Sequence, residues 1–414
     1  MSRFLPNAIF FSAISCALML TAFGCRPKTV EEEPIVRPPG LDGCFIKKDA
    51  VWTDRLPNST EPDYTIDCNV VVTDEAYLQI EPGVIIEFKG VGSGITVEKG
   101  ALKAAGLPVN PITLRGKLSG VGTWAGIRFQ TNSTANEVSN CKINNAGSAA
   151  NDFFAVSVRG FANSYPSLLR VTDCEITQSG GFGVYCDAVS SFGAFQRNKF
   201  SGCAQAGVCI TSAQLGALDT DSNYFGNGLN FVQVQGEGKI KRNITMKRLN
   251  VPYLVNTGDV IIAEGTLVVE AGIEMRFKPG TSIQVTGGVG ALVAIGTATK
   301  PIVFKGVRAG IGAWRGIAIF NNSTANVLTY CDIDSGGESP MGAMVANTKA
   351  NVTVGNTAEG FPYAAISNCK ITNSGGWGIY KGGNEAINVH AGSTNSNIAD
   401  VNTFSGNLLG GIGQ

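Results

Sequence analysis

Apolar and polar residues alternate along most of the chain. Leu78, Ile80, Val84, Ile86 and Phe88 fall at every second position on either side of Pro82 and Gly83, with Glu81 and Glu87 among the positions between. A period of two buries one face of an extended segment and leaves the other in water, so these runs predict β-strands. The Pro-Gly pair predicts the turn that redirects the chain. The same pattern returns as Leu267, Val269, Ile273, Met275 and Phe277 around Ala271 and Gly272.

The return belongs to a long internal duplication. Gly122, Trp124, Gly126 and Ile127 match Gly312, Trp314, Gly316 and Ile317, and Asn132 to Asn136 repeats as Asn322 to Asn326. Nested within it is a shorter repeat: Cys174 with Ile176, Asn198 with Phe200, Cys369 with Ile371, Asn402 with Phe404. The step of about 24 residues from Ile176 to Phe200 suits one coil of a parallel β-helix. Longer steps, such as Ile143 to Ile176, imply loops inserted at a corner. The fold predicted is therefore all-β, a right-handed parallel β-helix, with one copy over 69–237 and a second over 238–414. One continuous stack of about 14 to 16 coils, about 4.8 Å apart, would be roughly 70 Å long. Two shorter helices joined near residues 235 to 250 are the alternative. Residues 44–68 are expected to cap the N-terminal end, and the other end, at Gly410 to Gln414, to rely on loops or a partner.

These motifs, with Pro111 to Leu114 repeated as Pro301 to Phe304, resemble those of bacterial right-handed parallel β-helix repeat proteins over roughly residues 60 to 414. The resemblance implies a fold of the pectate-lyase-like superfamily. It implies little about chemistry, because one fold hosts many functions.

Ahead of the repeats, Arg3 is followed by an apolar stretch from Ala8 to Phe23, the layout of a secretory signal over residues 1–24. That stretch is shorter than a membrane-spanning helix requires. Ala22, Phe23, Gly24 and Cys25 resemble the bacterial lipobox, with Ala22 where leucine is commoner, and imply lipid attachment at Cys25. Residues 25–43, with Pro27, Pro34, Pro38, Pro39 and Glu31 to Glu33, have no composition for a core and read as a tether. An outer-membrane lipoprotein, surface-exposed if the acidic run acts as an export signal, is the location expected.

Composition narrows the functional classes. Lys+Arg and Asp+Glu are both 32, so the net charge is +0 and nothing offers nucleic acid an electrostatic footprint. The densest basic stretch, Lys239, Lys241, Arg242, Lys247 and Arg248, alternates with β-type residues and reads as a solvated strand face.

Of the cysteines, Cys141, Cys174, Cys331 and Cys369 each precede an apolar residue by two and are expected to face inward. Cys44 and Cys68 are the candidate disulfide, and Cys186, Cys203 and Cys209 lack zinc-site spacing. The single histidine, His390, reads as a surface or turn residue. No metal or cofactor site is expected. The nearest thing to a catalytic carboxylate pair is Asp219 with Asp221, which also fails as a calcium loop because Tyr224 stands where glycine is required. Three aromatic pairs recur in register: Trp124 with Trp314, Phe182 with Trp377, Tyr185 with Tyr380. Facing outward, Trp124, Trp314, Trp377, Tyr185 and Tyr380 would make a platform for sugar rings; facing inward, they cover corners of the coil.

The leading functional expectation is a non-enzymatic surface lipoprotein that presents a rigid β-helix to glycans or other surface ligands. A polysaccharide lyase or glycoside hydrolase is the alternative, and a structural adhesin or spacer without a small ligand is a third.

Overall fold

The computed structural model describes residues 36–160, 165–341, 348–355, 362–382, 389–390 and 397–414. The proposed signal, Cys25 and most of the tether lie outside them. Within them the chain is a parallel β-helix, and each coil contributes a short strand to each of its sides.

Among the described residues one branched 21-stranded sheet, its main branch here sheet I, runs the length of the stack, flanked by three six-stranded sheets. In the first copy sheet I takes Gly94–Val97, Gly126–Phe129, Phe154–Val158, Phe182–Cys186 and Val208–Thr211. Sheet II takes strands such as Tyr77–Ile80 and Ser191–Gln196, and sheet III strands such as Ile85–Phe88 and Lys199–Ser201. Register is in phase from coil to coil: Ile127 lies between Ile95 and Val156. Every apolar residue of the alternating pattern thus stacks on its equivalent, and Leu78, Ile86, Phe88, Leu267 and Phe277 are fully buried. That in-phase burial is what the period of two in the sequence encodes.

The motif with cysteine two places before an apolar residue has a local cause. The residue before each cysteine has positive φ, at Asn140 (47°), Asp173 (57°), Tyr330 (50°) and Asn368 (55°). This left-handed corner, which Asn and Asp tolerate best, drops the cysteine into the core. There the thiols of Cys141 and Cys174 donate to the carbonyls of Ala104 and Val138 of the preceding coil, both at 3.3 Å. Those of Cys331 and Cys369 do the same to Ala294 and Leu328, both at 3.4 Å.

The two copies form one stack, but they do not stack face upon equivalent face. Val208 pairs with Val232, Val232 with Tyr253, and Tyr253 with Met275. Met275 is the repeat equivalent of Ile86, which belongs to sheet III. Sheet I therefore passes from third-strand residues in the first copy to second-strand residues in the second. The strand Tyr253–Ile262 makes the change. Its first part continues sheet I, and its last part, Asp259 to Ile262, pairs with Lys239–Ile240 and Ser282–Val285 to open a new side, sheet IV. The bend between them falls where Gly258, at φ 67°, pairs with Gly236, which has no room for a side chain. Sheet III ends here, while Ile244–Met246 begins sheet V on the side where sheet II stopped.

At the N-terminal end the hairpin Leu41–Asp42 with Phe45–Ile46 covers sheet I, Phe45 pairing with Val71. Most of the segment expected as a cap is itself the first coil, since Ala50–Trp52 and Tyr64–Ile66 already ladder with the strands that follow. Cys44 and Cys68 are joined by a disulfide, 2.20 Å between sulfurs, tying hairpin to coil.

Candidate binding cleft at the junction of the copies

The change of sides leaves one coil without a ladder. Between Ser191–Gln196, the last strand of sheet II, and Ile244–Met246, the first of sheet V, residues 215–219 form no strand. The recess is a cleft of about 500 Å³, where three other pockets of the molecule measure about 140 to 150 Å³. The larger figure falls within the range of small-molecule sites. Phe192, Gly193 and Gln196 line one wall, Gly216 and Ala217 the floor, and Arg242, Asn243, Thr245 and Lys247 the other wall. Gly193 is the extra residue of a bulge, the register slipping between Leu169 and Arg170 opposite Phe192 and Ala194. Bulges of this kind re-aim side chains beside functional sites.

Arg242 and Lys247 have no ion pair among the described residues. The basic stretch is solvated as its alternation predicts, with Lys239, Lys241, Arg242 and Arg248 exposed, and Arg242 and Lys247 in addition flank the concave surface.

Asp219 lines the same cleft, but its carboxylate is occupied. One oxygen accepts from the Arg197 backbone N–H at 2.9 Å and the other from the Ser222 hydroxyl, while the Tyr224 hydroxyl donates to the Asp219 backbone carbonyl at 2.9 Å and lies 3.3 Å from that second oxygen. The aspartate is 8% exposed and serves as the knot of a polar turn. Asp221 is exposed, and its side chain makes no hydrogen bond among the described residues. Of the two, only Asp219 lines the cleft, so the cleft does not bring the pair together. Arg197 directs its guanidinium to Asp173 at 2.7 and 2.8 Å, and that bond holds the Asp173 carboxyl below its ordinary pKa.

Burial corrects the outward aromatic platform at Trp124, Trp314 and Tyr185. Trp124 and Trp314 are fully buried, each ring stacked at 4.0 Å on Phe88 or Phe277, and each indole N–H donates at 2.8 Å to the carbonyl of Asn144 or Asp334. Tyr185 is 9% exposed, its ring 4.4 Å from Phe154 and covered by the Arg159 guanidinium. Burial, and secondarily Cys209, push its hydroxyl pKa up. Trp377 is half-buried across Gly410 and Gly413 of the next coil, and Tyr380 is also half-buried. Glycines let Trp124 and Trp377 approach the backbone, and with Trp124, Trp314 and Tyr185 buried the rings offer sugars no continuous face.

Cys186, Cys203 and Cys209 are buried free thiols. No group of three metal-ligating side chains occurs among the described residues. His390 falls in the strand Val389–His390, whose side chains are outside the description. No protein family, curated protein or solved structure matches the chain.

The basic residues of the cleft were visible in the sequence; the cleft was not. The one available signal was negative, the loss of period-two alternation between residues 212 and 230.

Proposed function

We propose that the protein is an exported envelope lipoprotein, held at the outer membrane through acylated Cys25 and its Pro-rich tether, that presents a rigid right-handed β-helix of pectate-lyase-like type to a glycan or another surface ligand without turning it over. The observation that carries this reading is the junction cleft. It combines two uncommitted cations, amide and hydroxyl groups and the half-buried Phe192 ring on a floor of Gly216 and Ala217. Such a surface suits a polar, negatively charged chain, with the ring and the alkyl stems of Arg and Lys contacting its apolar faces. The carboxylate nearest to it is saturated with hydrogen bonds, so the cleft holds no free acid to protonate a leaving group.

The test is retention of the full-length protein on neutral and acidic polysaccharides, scored together with newly formed chain ends. Retention without new ends, lowered about tenfold or more by Arg242→Ala with Lys247→Ala, is expected from the loss of two charge-assisted contacts. New chain ends abolished by heating would overturn the non-enzymatic reading. For the anchor, Cys25→Ala is expected to move the protein from the membrane fraction to the soluble fraction; unchanged fractionation would remove lipidation from the proposal.

A further inference from the structure

A second, smaller pocket lies on the outer face of sheet I, well before the junction in the coil order, and it contains an arginine with too little negative charge around it. Arg128 projects from Gly126–Phe129 into a pocket of about 150 Å³ together with Asn69, Thr96 and Asn151, over a floor that includes Gly126. Its Nε donates to Asn151 Oδ1 at 3.1 Å and one terminal nitrogen to the Ala150 carbonyl at 3.0 Å, both neutral acceptors. Among the described residues the only carboxylate within ion-pair range is Asp152, at 3.8 Å, and Asp152 is committed to Arg159 at 2.6 Å. Arg159 is fixed in turn, its guanidinium 5.0 Å from the Phe154 ring and 5.1 Å from the Tyr185 ring, with its Nε buried and lacking an acceptor. Two guanidiniums thus share one carboxylate, and the leftover positive charge sits at the pocket.

We infer that this pocket is an oxyanion site, in which the Arg128 guanidinium with the Asn69 amide and the Thr96 hydroxyl receives a single carboxylate or phosphate group of an acidic ligand. Arg128 is partly desolvated, its side chain 28% exposed, so an incoming anion meets less competition from water than at a free surface arginine. Burial first, and the charge of Arg159 second, lower the Arg128 pKa, which is the electrostatic mark of a cation short of a counterion. The Asn69 amide donates to the Thr96 hydroxyl at 3.0 Å, which holds both in place, and the Thr96 proton, 3.2 Å heavy atom to heavy atom from Asn69 Oδ1, turns from that neutral acceptor to an anion when one is bound. The second copy lacks the site: Ala318 occupies the strand position of Arg128, Ala350 that of Phe154 and Gly355 that of Arg159. The pocket is therefore no by-product of the repeat.

The experiment is titration calorimetry of the full-length protein with galacturonate and, separately, with inorganic phosphate. Arg128→Ala, Thr96→Val and Arg308→Ala are measured alongside, Arg308 being an exposed arginine of the second copy. Binding of at least one probe is expected, weakened about tenfold or more by Arg128→Ala, less by Thr96→Val, and unchanged by Arg308→Ala. Galacturonate binding alone would assign the site to a uronate-bearing chain; phosphate binding alone would assign it to a phosphorylated ligand. No binding of either probe, or an equal loss in Arg128→Ala and Arg308→Ala, would overturn the inference. Thermal melting of each variant separates lost binding from lost folding. The same titrations in the Arg242→Ala with Lys247→Ala background should keep the component that Arg128 carries; heat lost there yet retained in Arg128→Ala would belong to the junction cleft and overturn the inference, so this site and the cleft can fail independently.

Discussion

The first and second copies of the repeat are nearly the same molecule on the inside and different molecules on the outside. Inside, Phe88 on Trp124 is reproduced as Phe277 on Trp314 at the same 4.0 Å. Asn136 accepts from Leu102 N–H at 3.2 Å and donates to the Leu168 carbonyl at 3.1 Å; Asn326 does the same with Leu292 at 3.0 Å and Tyr363 at 3.2 Å. Outside, the first copy carries Arg128, Phe154 and Arg159 where the second has Ala318, Ala350 and Gly355. Positions that must stack in phase on coils above and below tolerate little change, because a volume error or an unpaired polar atom is felt by both neighbours. Outward positions are released from that condition. The chemistry of this protein is therefore expected where the copies disagree, on outer faces and at their junction.

The comparison can be broken most forcefully at the tryptophans. Trp124→Ala and Trp314→Ala should each cost about 3 to 5 kcal/mol in chemical denaturation, from lost burial and the cavity left behind. A large cost in one copy only would show that the shared stack is not what holds both. Asn136→Ala and Asn326→Ala should follow at about 1 to 3 kcal/mol each, since each leaves a buried backbone N–H and carbonyl without a partner. Hydrogen exchange at Leu102 and Leu292 would report the loss directly.

In stability, a difference between the copies is expected at alkaline pH. Burial raises the Cys203 thiol from 9.0 to about 11 and the Cys209 thiol to about 12, and the second copy has Asn407 and Gly413 at those places. Both groups ionise more readily in the unfolded chain. Their contribution to stability is thus fully present below about pH 9 and is lost as pH rises through 11 to 12. Urea midpoints of Cys203→Ala with Cys209→Ala should fall less steeply over that window than those of the unaltered protein; parallel curves would refute the assignment. The smallest effect is expected at Arg315, paired with Asp259 at 3.1 Å on the outer face of the second copy. With side chains 26% and 22% exposed, Arg315→Ala should shift stability by no more than about 1 kcal/mol.

The inward half of this architecture was legible residue by residue. Leu78 to Phe88 and its return at Leu267 to Phe277 announced strand, turn, strand, and the cysteines two places before an apolar residue were expected to face inward. The aromatic pairs show the limit of such reading. Recurrence in register revealed that Trp124 and Trp314 are equivalent, yet a recurrent ring fits an outward platform as well as a core stack. Asp219 and Asp221 show the same limit for chemistry, since spacing along the chain does not tell which carboxylate is already satisfied by Ser222 and the Arg197 backbone.

By itself the sequence determined the parallel solenoid, the duplication and the identity of the stacked core, because those rest on short-range periodicity that every coil repeats. Only the tertiary structure decided how the copies meet. The change of sides at Gly236 and Gly258, the unladdered coil at 215–219, and the meeting of Arg128 with Asn69 and Thr96 all depend on which coil lies against which. Contacts between coils join residues tens of positions apart through register, and register across an irregular coil is fixed by the packing of the whole stack, with no local pattern to announce it.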